Sequence, residues 1–242
     1  MTIQTQTDSA LFIASSQQIL SEGGLEVQIG TDFDEYREIL LRDRPRQALG
    51  APFDPGLQNL NEGNAFWLTG RDLDGDLMHT QAARLLDLKH EDLGGYMFNR
   101  FREFPPAIPD IDLDRSRFRA SPGARNITGR VIYHGEVWMS DKPGLFRGNG
   151  LSTVLARYGL LTAMQRWNPD YIFVFMARTV AFKGFAERMG YMHNEPGALR
   201  WFRKGSDMPM EGFLSYLSNE EARYLLEMPV SDLVTLPAAK AA

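Results

Sequence analysis

The stretch RVIYHGEVWMSDKPGLFRGNGLS, residues 130–152, decides the fold. Its first part, Arg130–Ser140, is rich in β-branched and aromatic residues and predicts a strand. Asp141–Gly150 carries two turn signals and predicts a loop. Beyond it, Leu151, Val154, Leu155, Tyr158, Leu161 and Met164 recur at the spacing of one helical face. Asn168-Pro169-Asp170 ends that helix, and Tyr171–Met176 is a continuous apolar run, as in a strand covered on both faces. Strand, helix and strand in this length predict a right-handed crossover joining two parallel strands.

Upstream, Ala65–Arg71 and Leu77–Leu88 read as a hairpin closed by Asp72-Leu73-Asp74-Gly75-Asp76. A short amphipathic segment lies around Leu11–Leu20, followed by Gly23-Gly24 and a strand at Leu25–Ile29. Thr31 or Asp32 is placed to cap a helix running to about Arg44, with Phe33, Tyr36, Ile39 and Leu40 inward. A further helix is expected near His90–Asn99. Phe101–Gly129, with four prolines, reads as an ordered loop holding a short strand at best. Downstream, Thr179 is placed to cap a helix that ends at Gly190, with Phe182, Phe185 and Met189 inward. Tyr191–Asn194 and Leu199–Arg203 read as short closing strands, and one more helix is expected near Asn219–Met228. The fold class is α/β (α+β), a mixed twisted sheet with flanking helices.

Composition narrows the function. The chain has 242 residues, is 43% hydrophobic and 24% charged, and carries a net charge of -5. Nucleic-acid binding needs a clustered basic surface, so no nucleic-acid partner is expected. There is no cysteine, which excludes disulfides, thiolate metal sites and a cysteine nucleophile. Neither a signal peptide nor a membrane span is legible, and the expected location is cytoplasmic. Asp72, Asp74 and Asp76 match no complete metal loop and read as turn chemistry.

The chemistry-bearing feature is the glycine loop before the crossover helix. Gly148 and Gly150 let the backbone turn tightly and approach a ligand without a Cβ in the way. The first helical amides lack internal partners and the helix dipole adds partial positive charge, an arrangement suited to a pyrophosphate. Arg147 and Ser152 are placed to add side-chain contacts. A P-loop lysine and the third glycine of a dinucleotide fingerprint are both missing.

Phe146-Arg147-Gly148-Asn149-Gly150-Leu151-Ser152 resembles the pyrophosphate motif of GNAT acyltransferases, Q/R-x-x-G-x-G/A. Ala181–Tyr191, closing on Arg188-Met189-Gly190-Tyr191, is similar to the family segment ending K-L-G-F. The likeness is specific over about 130–205. It is only topological over 25–100 and silent beyond about 205. It implies an acyltransferase-like domain over 25–205, while the residue pattern reads 1–24 as tail and short helix and 206–242 as a helix and tail packed on that domain. The resemblance further implies acetyl-CoA or another acyl-CoA as co-substrate and a small-molecule amine acceptor, and leaves a homodimer open. No membrane partner is expected, since no window is apolar enough to span a bilayer.

The resemblance also places site residues. Val137, Trp138 and Met139 are where a backbone amide would bind the thioester carbonyl. Glu136 or His134, two apart on one strand and so expected on one sheet face, is where a base belongs. Leu145 replaces the polar residue that opens the motif, and Ala186 stands where many members carry the tyrosine that protonates the leaving thiolate. Tyr191, Tyr133 or solvent is left for that task. Two further readings compete. Arg84-Leu85-Leu86 and Asp114-Arg115-Ser116-Arg117-Phe118 are similar to fragments of acyl-homoserine-lactone and N-acyl amino acid synthases, which use long acyl chains. The other is an acyl-CoA-binding protein of the same fold without turnover.

Overall fold

The computed structural model describes residues 3–142, 146 and 149–234, with side chains described from residue 10 onward. Arg147 and Gly148 therefore lie outside the described residues. One mixed sheet of eight strands runs through the chain: β1 (Glu26–Gly30), β2 (Ala65–Arg71), β3 (Leu77–Leu88), β4 (Ile111–Phe118), β5 (Gly129–Met139), β6 (Tyr171–Ala177), β7 (His193–Arg203) and β8 (Met210–Ser218). Their spatial order is β1-β2-β3-β5-β6-β8-β7-β4. Among the described residues only β5 and β6 pair in parallel; the other pairs are antiparallel.

The parallel pair is joined by α4 (Leu151–Trp167), as the periodicity predicts. The predicted inward face is buried, but so is nearly everything else on this helix, thirteen of its seventeen residues. A helix covered on all sides needs neighbours beyond the sheet. They are α1 (Ile3–Glu22), α6 (Phe185–Met189) and α7 (Asn219–Leu226). Phe12 and Leu20 of α1 join Leu151, Val154, Leu155, Tyr158 and Leu161 in one apolar cluster. Each such side chain removed from water contributes about 1.5–3 kcal/mol. The short N-terminal segment read from sequence is thus a full helix, and Gly24, at φ 79°, ends it in the left-handed conformation a glycine tolerates. No described helix is long and apolar enough to cross a membrane.

Two strands were not legible. Ile111–Phe118, expected as mostly loop, is the edge strand β4, and Met210–Ser218 inserts as β8 between β6 and β7. The two expected closing strands are one bulged strand, β7, with its register shift between Glu195 and Leu199. Gly184, at φ 67°, splits the expected helix after Thr179 into α5 (Arg178–Ala181) and α6 (Phe185–Met189). The opposite face of the sheet carries α2 (Phe33–Asp43), capped by Asp32, and α3 (Leu93–Arg100), capped by Asp92.

Candidate active site: a cleft where two strands part

β5 and β6 pair over only three registers, Val131 with Tyr171, Ile132 with Ile172 and Tyr133 with Phe173. Their beginnings are pinned. Asp170 accepts from Arg130 N–H at 2.8 Å and donates its own N–H to Arg130 O at 2.7 Å. Past Tyr133 the strands separate, leaving a cleft of about 410 Å³ between Gly135–Val137 and Val174–Ala177. It opens toward Phe185 and Met189 of α6 on one side of the sheet. On the other side it reaches the Gly50–Phe53 turn and residues 104–108.

Glu136 sits on the cleft wall because β5 bulges there. The register passes from Ala82–Gly135 to Thr80–Trp138, skipping Glu136 and Val137, and Glu136 adopts φ 53°. A non-glycine residue in that region is strained by roughly 1–3 kcal/mol and is held by its surroundings. Thr80 Oγ1 donates to Glu136 O at 2.8 Å, and Glu136 Oε1 accepts the Gly50 N–H at 2.9 Å. Arg44, at the C-terminal end of α2, donates to Thr80 Oγ1 at 2.6 Å and lies 3.4 Å from Glu136 Oε2. Burial raises the Glu136 carboxyl above the usual carboxylate range, with Arg44 and the Gly50 amide pulling the other way.

The bulge corrects the expectation that His134 and Glu136 share a sheet face. Strict alternation is broken at Gly135–Glu136, so Glu136 faces Gly50 and Arg44 while His134 faces α4. There His134 is 2% exposed and fully bonded. Gln81 Nε2 donates to Leu155 O at 2.7 Å, so Gln81 Oε1 is the acceptor 2.8 Å from His134 Nε2. That nitrogen carries the proton, and Nδ1 accepts from the Tyr191 hydroxyl at 2.8 Å. Burial lowers the His134 pKa to about 4, so the ring is neutral. His134 and Tyr191 are brought together, but neither lines the cleft.

Tyr133 does line it. Phe53 stacks on it at 5.5 Å between ring centroids, and Phe104 meets it edge-on at 5.1 Å. Burial, and then the Glu136 carboxylate, push its hydroxyl well above the ordinary tyrosine value. Val137 shares the cleft wall with Glu136, and Trp138 and Met139 rejoin the ladder opposite Thr80 and His79.

The start of α4 carries the other residues singled out from sequence. Gly150 takes φ 80°, and its carbonyl accepts the N–H groups of Thr153 and Val154. Asn149 Oδ1 accepts the Leu151 N–H at 3.2 Å. Phe146 packs against the cluster that holds Leu151, and Ser152 follows in the first turn. The chain's own C-terminal segment lies against this point. A Cβ on Gly150 would come within 1.9 Å of the Leu233 carbonyl oxygen. An electronegative atom thus already touches the helix start, where the dipole favours one.

The remaining motifs resolve structurally. Lys142 Nζ lies 2.7, 3.5 and 2.9 Å from Asp72, Asp74 and Asp76, so the aspartate turn surrounds an ammonium group. Asp114–Phe118 lies on edge strand β4 beside β7, while Arg84–Leu86 lies on β3, across the sheet. The site residue that spacing missed is Arg44; a charge just before Pro45 reads as a helix end, and only long-range packing brings it to Glu136.

No family model matches the sequence, and no curated protein matches it. Among solved structures the chain is similar to Arabidopsis thaliana NAA60 in complex with acetyl-CoA, at 12% identity over 80% of this chain and 98% of that one, TM-score 0.44. It is similar to the spermidine N-acetyltransferase from Vibrio cholerae in complex with CoA and spermine, at 8% identity over 82% and 98% of the two chains, TM-score 0.44. It is also similar to an N-acetyltransferase from Staphylococcus aureus Mu50, at 10% identity over 81% and 98%, TM-score 0.42.

Proposed function

We propose that this chain is an acyl-CoA-dependent N-acyltransferase acting on the amine of a small molecule. The observation that carries the reading is the parting of β5 and β6 beside a bulge that turns a buried carboxylate, Glu136, into the gap. A thioester arm threaded between two separated strands meets skipped backbone and a base on the same wall, that of β5.

In the proposed reaction the neutral amine attacks the thioester carbonyl, a C–N bond forms and the C–S bond breaks. Glu136 accepts the proton the amine loses, directly or through one water. A raised carboxyl pKa suits it to this task, since it lies nearer the working pH. The Val137 N–H, outside the ladder register, supports the developing oxyanion, with Trp138 and Met139 continuing the wall along the arm. The thiolate takes a proton from Tyr133 or from solvent. Phe146, Arg147, Gly148, Asn149, Gly150, Leu151 and Ser152 are assigned to the pyrophosphate of acetyl-CoA or another acyl-CoA. Leu233 must withdraw from Gly150 to admit it. His134 and Tyr191 are assigned to holding β5 against α4.

The test combines calorimetric titration of acetyl-CoA with thiol release in the presence of primary amines. Amine-dependent thiol release that Glu136→Gln lowers by about 10²–10⁴-fold, with acetyl-CoA binding retained, is expected. Absence of acetyl-CoA binding to the unsubstituted chain would remove the assignment.

A further inference from the structure

The two ends of the cleft differ in chemistry. Toward α6 it is walled by Phe185 and Met189, on the sheet face that carries α4. Toward the opposite face it is walled by Phe53, Phe104 and Tyr133, with Phe175 and Trp201 beside them. These rings are packed against one another. Phe175 lies 6.5 Å from Phe104 and 6.2 Å from Tyr133, both between ring centroids, and Phe53 and Phe104 flank Tyr133. Glu136 faces this second end, through its bonds to Gly50 and Arg44.

Charge in the cleft is sparse. Among the described residues that line it there is no lysine, arginine or histidine, and the acids are Glu136 and Glu211. Glu211 is engaged at 3.2 Å by Arg178, and Glu136 has Arg44 behind it. A carboxylate or phosphate on a substrate would be buried there with no cation in the lining, Arg84 standing behind it and donating to Pro52 O at 3.2 Å, and the second ammonium of a polyamine without a free anion. Either would be costly. A single amino group on an uncharged ring has neither problem. Its nitrogen reaches Glu136, and its ring adds to an aromatic cluster in which edge and offset contacts are favourable.

We propose that the acceptor is an aromatic monoamine, its ring seated between Phe53, Phe104 and Trp201 on the face away from α4 and its nitrogen at Glu136. This deepens the acyltransferase reading and rests on it for the direction of the donor. The donor arm enters from the α4 face, where the pyrophosphate loop is assigned, so the aromatic end is left to the acceptor.

The experiment measures kcat/KM for acetyl transfer to phenethylamine, n-butylamine, phenylalanine and spermidine. Calorimetric binding of phenethylamine is measured alongside, without acetyl-CoA. Phenethylamine is expected to exceed each of the others by at least about tenfold. Phe104→Leu is expected to lower kcat/KM for phenethylamine more than for n-butylamine, shrinking the ratio of the two about tenfold. Ile108→Arg, at a partly exposed position on the rim, puts a cation beside the cleft and is expected to raise phenylalanine relative to phenethylamine. Because binding is read apart from turnover, failure of the acyltransferase reading is distinguishable: phenethylamine would still bind, and Phe104→Leu would weaken it. Spermidine or phenylalanine equalling phenethylamine, or no binding of phenethylamine, would each overturn the proposal.

Discussion

The guanidinium of Arg44 and the carboxylate of Glu136 form an ion pair at 3.4 Å whose side chains are 4% and 7% exposed. Breaking such a pair from one side leaves a buried charge uncompensated and costs about 3–5 kcal/mol. Arg44→Met is therefore expected to lower stability at neutral pH by several kcal/mol. It should also raise the Glu136 carboxyl further, because Arg44 is the main group opposing the effect of burial. The sign follows from linkage: a carboxyl raised in the folded state favours folding at low pH and loses that contribution as pH rises through its folded value. Denaturation of Arg44→Met should show stability falling more steeply with increasing pH than in the unsubstituted chain. An unchanged slope would place Glu136 outside the influence of Arg44.

The same carboxyl sets the acid limb of catalysis in the proposed reaction. Below its pKa Glu136 is protonated and cannot accept a proton, so kcat/KM should rise through a midpoint above the ordinary carboxylate range. Arg44→Met should move that midpoint upward. A limb that stays in place would assign the titration to another group.

Two buried histidines shape acid stability. His79 is lowered to about 3 by burial and by the nearby His134, and His134 to about 4 by burial, from 6.5. Both bind a proton in the unfolded chain before they can in the folded one. Their contribution is complete above about pH 6.5 and is lost as pH falls toward 4, by about 1.4 kcal/mol per pH unit for each proton. Urea denaturation between pH 6 and 4 should show a slope of about two protons from these groups, reduced by about one in His79→Leu.

Much of this fold is legible from periodicity, because the core elements pattern locally. Leu151, Val154, Leu155, Tyr158, Leu161 and Met164 all come out buried, and the hairpin closes where Asp72–Asp76 turns. What stayed hidden depends on contacts far along the chain. β4 carries Asp112 and Asp114 on one face and Arg115 and Arg117 on the other, as an edge strand can, and so reads as loop. β8 is placed by partners on both sides, Tyr171–Ala177 and His193–Trp201. Gly159 looks like a weak point in α4 until Gln81 is seen: a Cβ there would come within 2.2 Å of the amide oxygen that bonds His134. The face of Glu136 was misread because alternation carries no signal for a positive φ at a non-glycine residue.

Tyrosine substitution separates the two candidate proton donors. Tyr191→Phe removes the hydroxyl that serves His134 Nδ1 and should cost about 1–3 kcal/mol of stability, since it leaves a buried acceptor without a partner. Its effect on kcat should stay within about twofold, because Tyr191 does not line the cleft. Tyr133→Phe keeps the ring contacts with Phe53 and Phe104 and should lower kcat alone if that hydroxyl protonates the thiolate. A large loss in Tyr191→Phe with none in Tyr133→Phe would reverse the assignment.

Leu233 and Gly150 provide the remaining test. The carbonyl oxygen of Leu233 rests on Gly150 at the start of α4, and Val230, 4% exposed, anchors the same segment in the cluster that holds Leu151 and Leu155. In the proposed assignment a pyrophosphate bound by the α4 start displaces that oxygen, so the segment and acetyl-CoA are expected to compete. Ending the chain at Pro229 removes the competitor along with a buried valine. Thermal stability should fall, by about 1.5–3 kcal/mol for the valine alone, while acetyl-CoA binds several-fold more tightly by calorimetry. Gly150→Ala acts differently: its Cβ collides with Leu233 and its φ of 80° suits no alanine, so stability falls there as well. Equal acetyl-CoA affinity in the full and shortened chains would mean that the phosphates bind away from the start of α4.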